Sequence, residues 1–315
     1  MTLAAWLDRA AALLGAHDAA GRSITTYVGL ADASAVTRVG DRIIVATDEV
    51  EASSGRNALH VYTLGNPHGT TVDLTPALGA DQREADLEGV ARIGDRQFWI
   101  GSHSTGSKGE VQPARHVLFA TTLRGDTLVP LPGVYRTLLA DLAGDARYSG
   151  FGLAAAARRA PETDDGLSIE GLTAVGTTLL IGLRSPVIDG KALIIPLRDA
   201  PAVVAGSARA KFDAPILVDL GGRGIRDMTS LGDVTLILAG PAGNKGAFRL
   251  FVRDGGKVGK GPKIDFGDLH VEGMASAADG SLIFVSDDGD VKVGGKKSKN
   301  LPDSQRRFRV LTVKP

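Results

Sequence analysis

The chain contains no cysteine in its 315 residues. That absence removes disulfides, thiolate metal sites and a cysteine nucleophile together, leaving oxygen and imidazole as the available metal ligands. Net charge is also lacking, since 36 Lys and Arg balance 36 Asp and Glu. No overall field draws nucleic acid or an anionic membrane surface, so neither is expected as a partner. No stretch approaches the ~20 apolar residues of a membrane span. Asp8 and Arg9 interrupt the one apolar run near the N-terminus, where a signal peptide needs continuity, and the expectation is a cytoplasmic protein. Neither a Gly-x-Ser-x-Gly elbow nor a His-Glu-x-x-His pair occurs, which sets aside α/β-hydrolase and zincin readings. Aromatic residues make up only 5% against 41 glycines, a profile of many turns and short strands.

Leu3, Trp6, Leu7, Ala10 and Leu13 recur at helical spacing, so the first 20 residues are read as an amphipathic N-terminal helix ahead of a single domain over 21–315. That domain is organised by a repeat. Ser34-Ala35-Val36 leads through Val39-Gly40-Asp41 to Ile43-Ile44-Val45-Ala46. Glu88-Gly89-Val90 leads through Ile93-Gly94-Asp95 to Phe98-Trp99-Ile100-Gly101, and Glu170-Gly171-Leu172 through Val175-Gly176 to Leu179-Leu180-Ile181-Gly182. Arg226-Asp227-Met228 and Glu272-Gly273-Met274 begin two more such units. Each reads as a β-hairpin, two branched apolar strands around a Gly-containing turn.

Third strands follow at Leu59–Tyr62, His116–Phe119, Ala192–Ile195 and Phe248–Phe251, and fourth strands at Thr71–Leu74 and Ile216–Asp219. Four antiparallel strands repeated about every 50 residues match a propeller blade. The expected fold is all-β, a β-propeller of about five four-stranded blades, with six as the alternative. The last unit lacks a fourth strand, which Ser23–Val28 can supply to close the ring and remove an exposed edge. The spacing from Glu88 to Glu170 is too long; residues 134–160 read as a helical insertion on a blade and a candidate lid over one face.

In an antiparallel hairpin, the start of the first strand and the end of the second share one edge. The repeat therefore brings Glu88, Glu170, Arg226, Asp227 and Glu272 to the same channel mouth as Asp48, Glu49, Ser102-His103-Ser104, Arg184, Asp287 and Asp288. Gly after each Glu permits close backbone approach near the axis, leaving the Glu to project. Converging carboxylates repel unless compensated, and hard oxygen ligands suit Ca²⁺ or Mg²⁺. The alternative is a salt-bridge lattice in which Arg184, Arg226 and Arg223 hold the same carboxylates and no ligand is needed.

Other local signals read as structure. Gly221-Gly222-Arg223-Gly224 precedes a strand rather than a helix and reads as a tight turn. Asp287-Asp288-Gly289-Asp290 lacks the downstream Glu of a calcium loop and reads as a strand-end turn. Lys257–Lys263 and Lys292–Lys299 read as solvated basic loops. His103 is the best placed histidine, between two serines at the mouth.

Asp86-Leu87-Glu88-Gly89, Gly101-Ser102-His103-Ser104, Ile169-Glu170-Gly171-Leu172 with Leu180–Pro186, Gly222–Met228, and Glu272-Gly273-Met274 with Ser286-Asp287-Asp288-Gly289 together resemble a bacterial family known only as a domain of unknown function. The repeat pattern is more distantly similar to esterase-like phytase propellers and to the gluconolactonase and regucalcin group. That resemblance implies a divalent cation held by acidic residues near the axis. The functional expectation is a metal-assisted hydrolase of a small anionic ester or lactone. Glu88, Glu170, Asp227 and Glu272 are its candidate Ca²⁺ or Mg²⁺ ligands. Arg184, Arg226, Asp48 and Asp288 contact the substrate, and His103 or Asp287 takes a proton. The alternative is a non-catalytic propeller that binds a small molecule or a protein segment, with the Glu and Arg ring structural.

Overall fold

In the computed structural model, residues 21–79, 83–161, 163, 165–231, 234–243, 246–277 and 279–314 are described. Strands follow the repeat. The first blade is built from β2 (Ala33–Val39), β3 (Arg42–Thr47), β4 (Ala58–Thr63) and β5 (Thr70–Asp73), and the second from β6 (Leu87–Ile93), β7 (Arg96–Gly101), β8 (Leu118–Arg124) and β9 (Thr127–Tyr135). The third contains β10 (Ser168–Val175), β11 (Thr178–Ser185), β12 (Ala192–Leu197) and β13 (Ile216–Val218). The fourth contains β14 (Gly224–Leu231), β15 (Val234–Gly240), β16 (Arg249–Asp254) and β17 (Lys257–Lys260). In the fifth, β18 (Val271–Ser276) and β19 (Leu282–Ser286) pair in turn with β22 (Arg307–Val313) and β1 (Arg22–Val28). A small hairpin, β20 (Lys292–Val293) and β21 (Lys296–Lys297), projects between β19 and β22.

The ring closes as the unfinished last blade requires. β1 pairs with β22 from Arg22↔Val313 to Val28↔Arg307, so the first strand of the chain is the outermost strand of the last blade. Tyr27 on β1 packs on Phe308 at 5.4 Å and on Tyr62 at 5.1 Å between ring centroids, which fastens this closure to the first blade.

Each seam between neighbouring blades has its own hydrophobic cluster, because inner and middle strands alternate apolar residues onto both sheet faces. Trp99, Ile44 and Phe119 lie in the cluster between blades one and two, and Phe284, Leu236 and Val271 in that between blades four and five. Tyr27, Ile43 and Ile283 fill the closing seam.

The connection from β9 to β10 contains the helices α2 (Leu138–Ala143) and α3 (Leu153–Ala156), with a 3-10 turn over Ala146–Phe151 between them; α1 is Thr75–Leu78 and α4 Ala200–Val204. The insertion is not a lid. Leu138, Leu142, Tyr148, Leu153 and Ala156 are buried in the seam cluster of blades two and three, and Tyr148 donates its hydroxyl to Asp213 O at 2.8 Å. The long spacing is thus one reinforced seam within a five-bladed ring. The basic stretch from Lys257 begins not with a loop but with the outer strand of blade four, registered Phe251↔Lys260 to Asp254↔Lys257. Lys292–Lys299 likewise contains the β20–β21 hairpin.

The expected N-terminal helix lies outside the described residues. Among the described residues no helix is long and apolar enough to cross a membrane.

Candidate functional site

The first hairpin of every blade has a bulge at one matching position. Ala33 and Ala35 pair with consecutive residues of β3, skipping Ser34, and Leu87 and Gly89 do the same around Glu88. Glu170, Arg226 and Glu272 are skipped in the same way in blades three, four and five. A bulge leaves one residue out of the ladder and re-aims its side chain. Here it turns Ser34, Glu88, Glu170, Arg226 and Glu272 together into the channel mouth, where all five line one cavity.

The glycines after the bulges have the steric role the repeat suggested. A Cβ on Gly171 would stand 2.5 Å from Ile225 Cγ2 of the next blade, and one on Gly273 2.9 Å from Ser34 O across the closing seam. Adjacent inner strands approach too closely at this level for a side chain to fit between them, which draws the bulged side chains together.

The cavity is about 110 Å³ and is lined by Asp32, Asp48, Glu88, Glu170, Glu272 and Asp287 together with Arg184 and Arg226. Six carboxyl groups thus face two guanidiniums. The pairing is uneven. Arg184 Nη1 donates to Glu170 Oε1 at 2.9 Å, and its other nitrogens to the carbonyls of Ala242 and Gly243 at 2.8 and 3.1 Å. Arg226 Nε lies 3.0 Å from Glu170 Oε2, and its Nη2 bonds Glu272. Both arginines are therefore committed to the Glu170 and Glu272 side, as the salt-bridge alternative requires of them, whereas Arg223 donates to the carbonyls of Ala247 and Leu220 instead.

The other side has a surplus of negative groups. One carboxylate oxygen from each of Asp48, Asp86 and Glu88 lies within 4.8 Å of those of the other two. Asp32 is 5% exposed, and its Oδ2 has no hydrogen-bond partner. Burial, compounded by the neighbouring carboxylates, lifts Asp48 and Glu88 well above the usual carboxylate range. Burial and then Asp287 and Glu49 raise Asp32 to about 7, and burial also raises Asp287. Asp86 is raised by burial against the pull of Arg115, whose Nη1 lies 2.9 Å from it.

Of the residues picked out from the repeat, Glu88, Glu170, Glu272, Asp48, Arg184, Arg226 and Asp287 line this cavity. Glu49, Ser102, Ser104, Asp227, Asp288 and His103 do not. Asp227, at the position where the other blades carry Gly or Ala, accepts the Met228 amide at 2.7 Å and the Met274 amide at 2.5 Å, so its carboxylate staples blade four to blade five. Asp288 receives Arg309 through both oxygens, at 2.8 and 2.9 Å, and Ser286 Oγ at 2.8 Å. His103 is turned inward at φ 54°, 1% exposed, stacked on His116 with centroids 5.3 Å apart. Its Nδ1–H donates to Gly101 O at 2.9 Å, and burial lowers its pKa to about 3, so it stays neutral.

Asp32 and Asp86 join the acidic group without having been singled out. Asp32 stands two residues before the Ser34 bulge, the place Asp86 holds before the Glu88 bulge, so extending the repeat by two residues would have found both. Asp86 sits two residues before the Glu88 bulge at φ 52°, a left-handed conformation that Asp tolerates better than most residues. Ser102 and Ser104 hydroxyls bond its Oδ2, and this turn is what brings the carboxylate beside Glu88.

The family model described as protein of unknown function (DUF3616) matches residues 32–122 and 130–260. No curated protein matches the chain. Among solved structures, the chain is similar to YCF48 bound to D1 peptide at 12% identity and a TM-score of 0.36, over 88% of this chain and 68% of that one. It is also similar to the extracellular domain of the hybrid two component system BT4673 from B. thetaiotaomicron, at 10% identity and a TM-score of 0.35, over 81% of this chain and 26% of that one. Five blades are defined by the strand pairing alone, independently of these likenesses.

Proposed function

Because the chain belongs to the family of unknown function DUF3616, its activity has to be read from the axial cavity, and we propose a divalent-cation-dependent hydrolase of small anionic esters or lactones. The observation that carries this reading is the surplus of carboxylates at one corner of the mouth, where Asp48, Asp86 and Glu88 offer oxygens within 4.8 Å of one another. Asp32, with a buried unpartnered oxygen, lines the same cavity and adds an independent sign that a cationic partner fits there. An all-oxygen set suits Ca²⁺ or Mg²⁺ rather than a softer metal.

In this reading Asp48, Asp86 and Glu88 hold the cation, a different set from the Glu88, Glu170, Asp227 and Glu272 suggested by the repeat alone. Such a cation supplies Lewis-acid polarisation of a carbonyl or phosphoryl oxygen and an activated water. Asp287 and Asp32 line the cavity, where each can take a proton from a water. Arg184 and Arg226 hold Glu170 and Glu272 in place, so they fix the cavity wall rather than reach for the substrate's anionic group. The cavity's small volume admits a reacting group, with the rest of the substrate outside the mouth.

That commitment of both arginines favours a second reading, a non-catalytic propeller that binds a small molecule or a protein segment at the same mouth. Two measurements separate them. Thermal shift of the purified protein with Ca²⁺, Mg²⁺ or Mn²⁺ against a chelator should raise the melting temperature for wild type and not for Glu88→Gln. A hydrolysis screen of lactones and phosphate esters should then show cation-dependent turnover. Equal responses of wild type and variant to every cation overturn the cation site, and a cation response without turnover selects the binding reading.

A further inference from the structure

The end of the channel opposite the acidic mouth has a different chemistry. There the inner strands enclose a second cavity of about 160 Å³ that shares no lining residue with the first. Its polar lining is Thr37 of β2, Arg92 of β6, Thr173 of β10, Thr229 and Ser230 of β14 and Ser276 of β18. Among the described residues no carboxylate lines it. The two ends are separated by the strand itself: Glu88 and Arg92 lie four residues apart on β6, about 13 Å at the rise of a strand. That exceeds the ~8 Å screening length at physiological salt, so the acidic end does not neutralise this one through solvent.

Part of this hydrogen-bonding capacity is uncommitted among the described residues. Arg92 Nη1 donates to Arg38 O at 2.9 Å, which anchors the guanidinium at the rim, and its remaining N–H groups have no acceptor among the described residues. Thr37 is 6% exposed, lines the cavity, and its hydroxyl has no partner among the described residues. Three hydroxyls are already arranged among themselves: Ser276 donates to Ser230 O, Ser230 to Ala174 O at 3.0 Å, and Thr173 meets Ser230 Oγ at 2.8 Å. Thr229 is held weakly, 3.4 Å from Ser276 Oγ. Arg92 and two threonines with available hydroxyls, from three different blades, thus line one space that no carboxylate of the described residues lines.

We infer that this far cavity is a binding site for a small tetrahedral oxyanion of the phosphate class, held by Arg92 with Thr37 and Thr229. Guanidinium donors match two oxygens of such an anion, and the threonine hydroxyls supply single bonds to the others. The site is independent of the cation proposal, because it uses no residue of the acidic mouth.

Calorimetric titration with inorganic phosphate tests it, in chelator and at fixed ionic strength, with chloride as the control anion. Wild type is expected to give saturable phosphate binding and none for chloride. Arg92→Gln should weaken it about tenfold or more, and the isosteric Thr37→Val by a smaller factor, while Glu88→Gln binds as wild type does. Arg92 is solvent-exposed, so its variant should fold, which a melting curve checks. Absence of saturable binding in the folded wild type, or unchanged binding in Arg92→Gln, overturns the proposal. Loss of phosphate binding in Glu88→Gln also overturns it by moving the anion to the other mouth.

Discussion

Glu170 of blade three and Arg226 of blade four form a buried ion pair across their seam, with Nε 3.0 Å from Oε2. Glu170 is 2% exposed and also accepts Arg184, while Arg226 reaches on to Glu272 of blade five. Three blades are therefore tied by one chain of charges. Burial lifts the Glu170 pKa even so, with Arg226 and then Arg184 pulling it back. Removing one partner leaves an uncompensated charge, the costly way to break such a pair. Arg226→Met should lower unfolding free energy by about 3–5 kcal/mol in urea, and adding Glu170→Gln should recover part of it. A single variant as stable as wild type contradicts the tie.

The acidic corner predicts the opposite sign. Glu88 is raised by burial and by Asp86, Glu170, Asp48 and Glu272 around it, so its charge is unwelcome when no cation is bound. In chelator at pH 8, Glu88→Gln should melt above wild type. On adding Ca²⁺ or Mg²⁺ the order should narrow or reverse, as only wild type gains from binding. A variant that melts lower in chelator contradicts the repulsion.

Asp32 gives a pH dependence whose direction is fixed. Its pKa rises from 3.8 to about 7 on folding, chiefly through burial. The native state then binds the proton more tightly than the unfolded state, so this group's contribution is fullest below about pH 4 and declines as pH rises toward 7. Asp32→Asn mimics the protonated form. In chelator, its melting temperature relative to wild type should climb between pH 4 and 7, and scanning calorimetry across that range measures the difference. A constant difference contradicts the shift.

Asp227 separates structure from site. Its two oxygens accept the Met228 and Met274 amides, so Asp227→Asn leaves one buried amide facing a donor. The expected cost is about 1–3 kcal/mol, with the cation-induced melting shift unchanged. Loss of that shift in a folded variant returns Asp227 to the cation site.

Ring closure is testable at Tyr27, 1% exposed between Phe308 and Tyr62. Tyr27→Ala should cost about 3–5 kcal/mol, as other buried aromatic truncations do, and should loosen β1 first. Hydrogen exchange of the β1 amides bonded to β22 should then accelerate more than that of β11 amides. Uniform acceleration contradicts a local closure.

Much of the fold was legible because blades are built from local hairpins. Branched apolar runs around Gly-containing turns mark β2–β3, β6–β7 and β10–β11 in the linear chain, and the missing fourth strand after β22 points back to β1. Lys257–Lys260 was hidden as a strand because two of its four residues are lysines and one is glycine, none is fully buried, and its pairing is supplied by β16. Residues 138–156 were legible as helix, but their place in a seam depends on side chains of β8 and β12.

By itself, the sequence determined that Ser34, Glu88, Glu170, Arg226 and Glu272 occupy equivalent places, since one repeated pattern implies one repeated geometry. Only the tertiary structure decided what each group meets there. Glu170 finds Arg226 from 56 residues away in the chain and is neutralised; Asp227 is turned onto the amides of Met228 and Met274; Asp86 arrives through a left-handed turn, and Asp32 through a single bridge to Asp287. The physical reason is that hairpins are set by neighbours in the chain, whereas the balance of charge at the axis is set by five strands meeting from different blades.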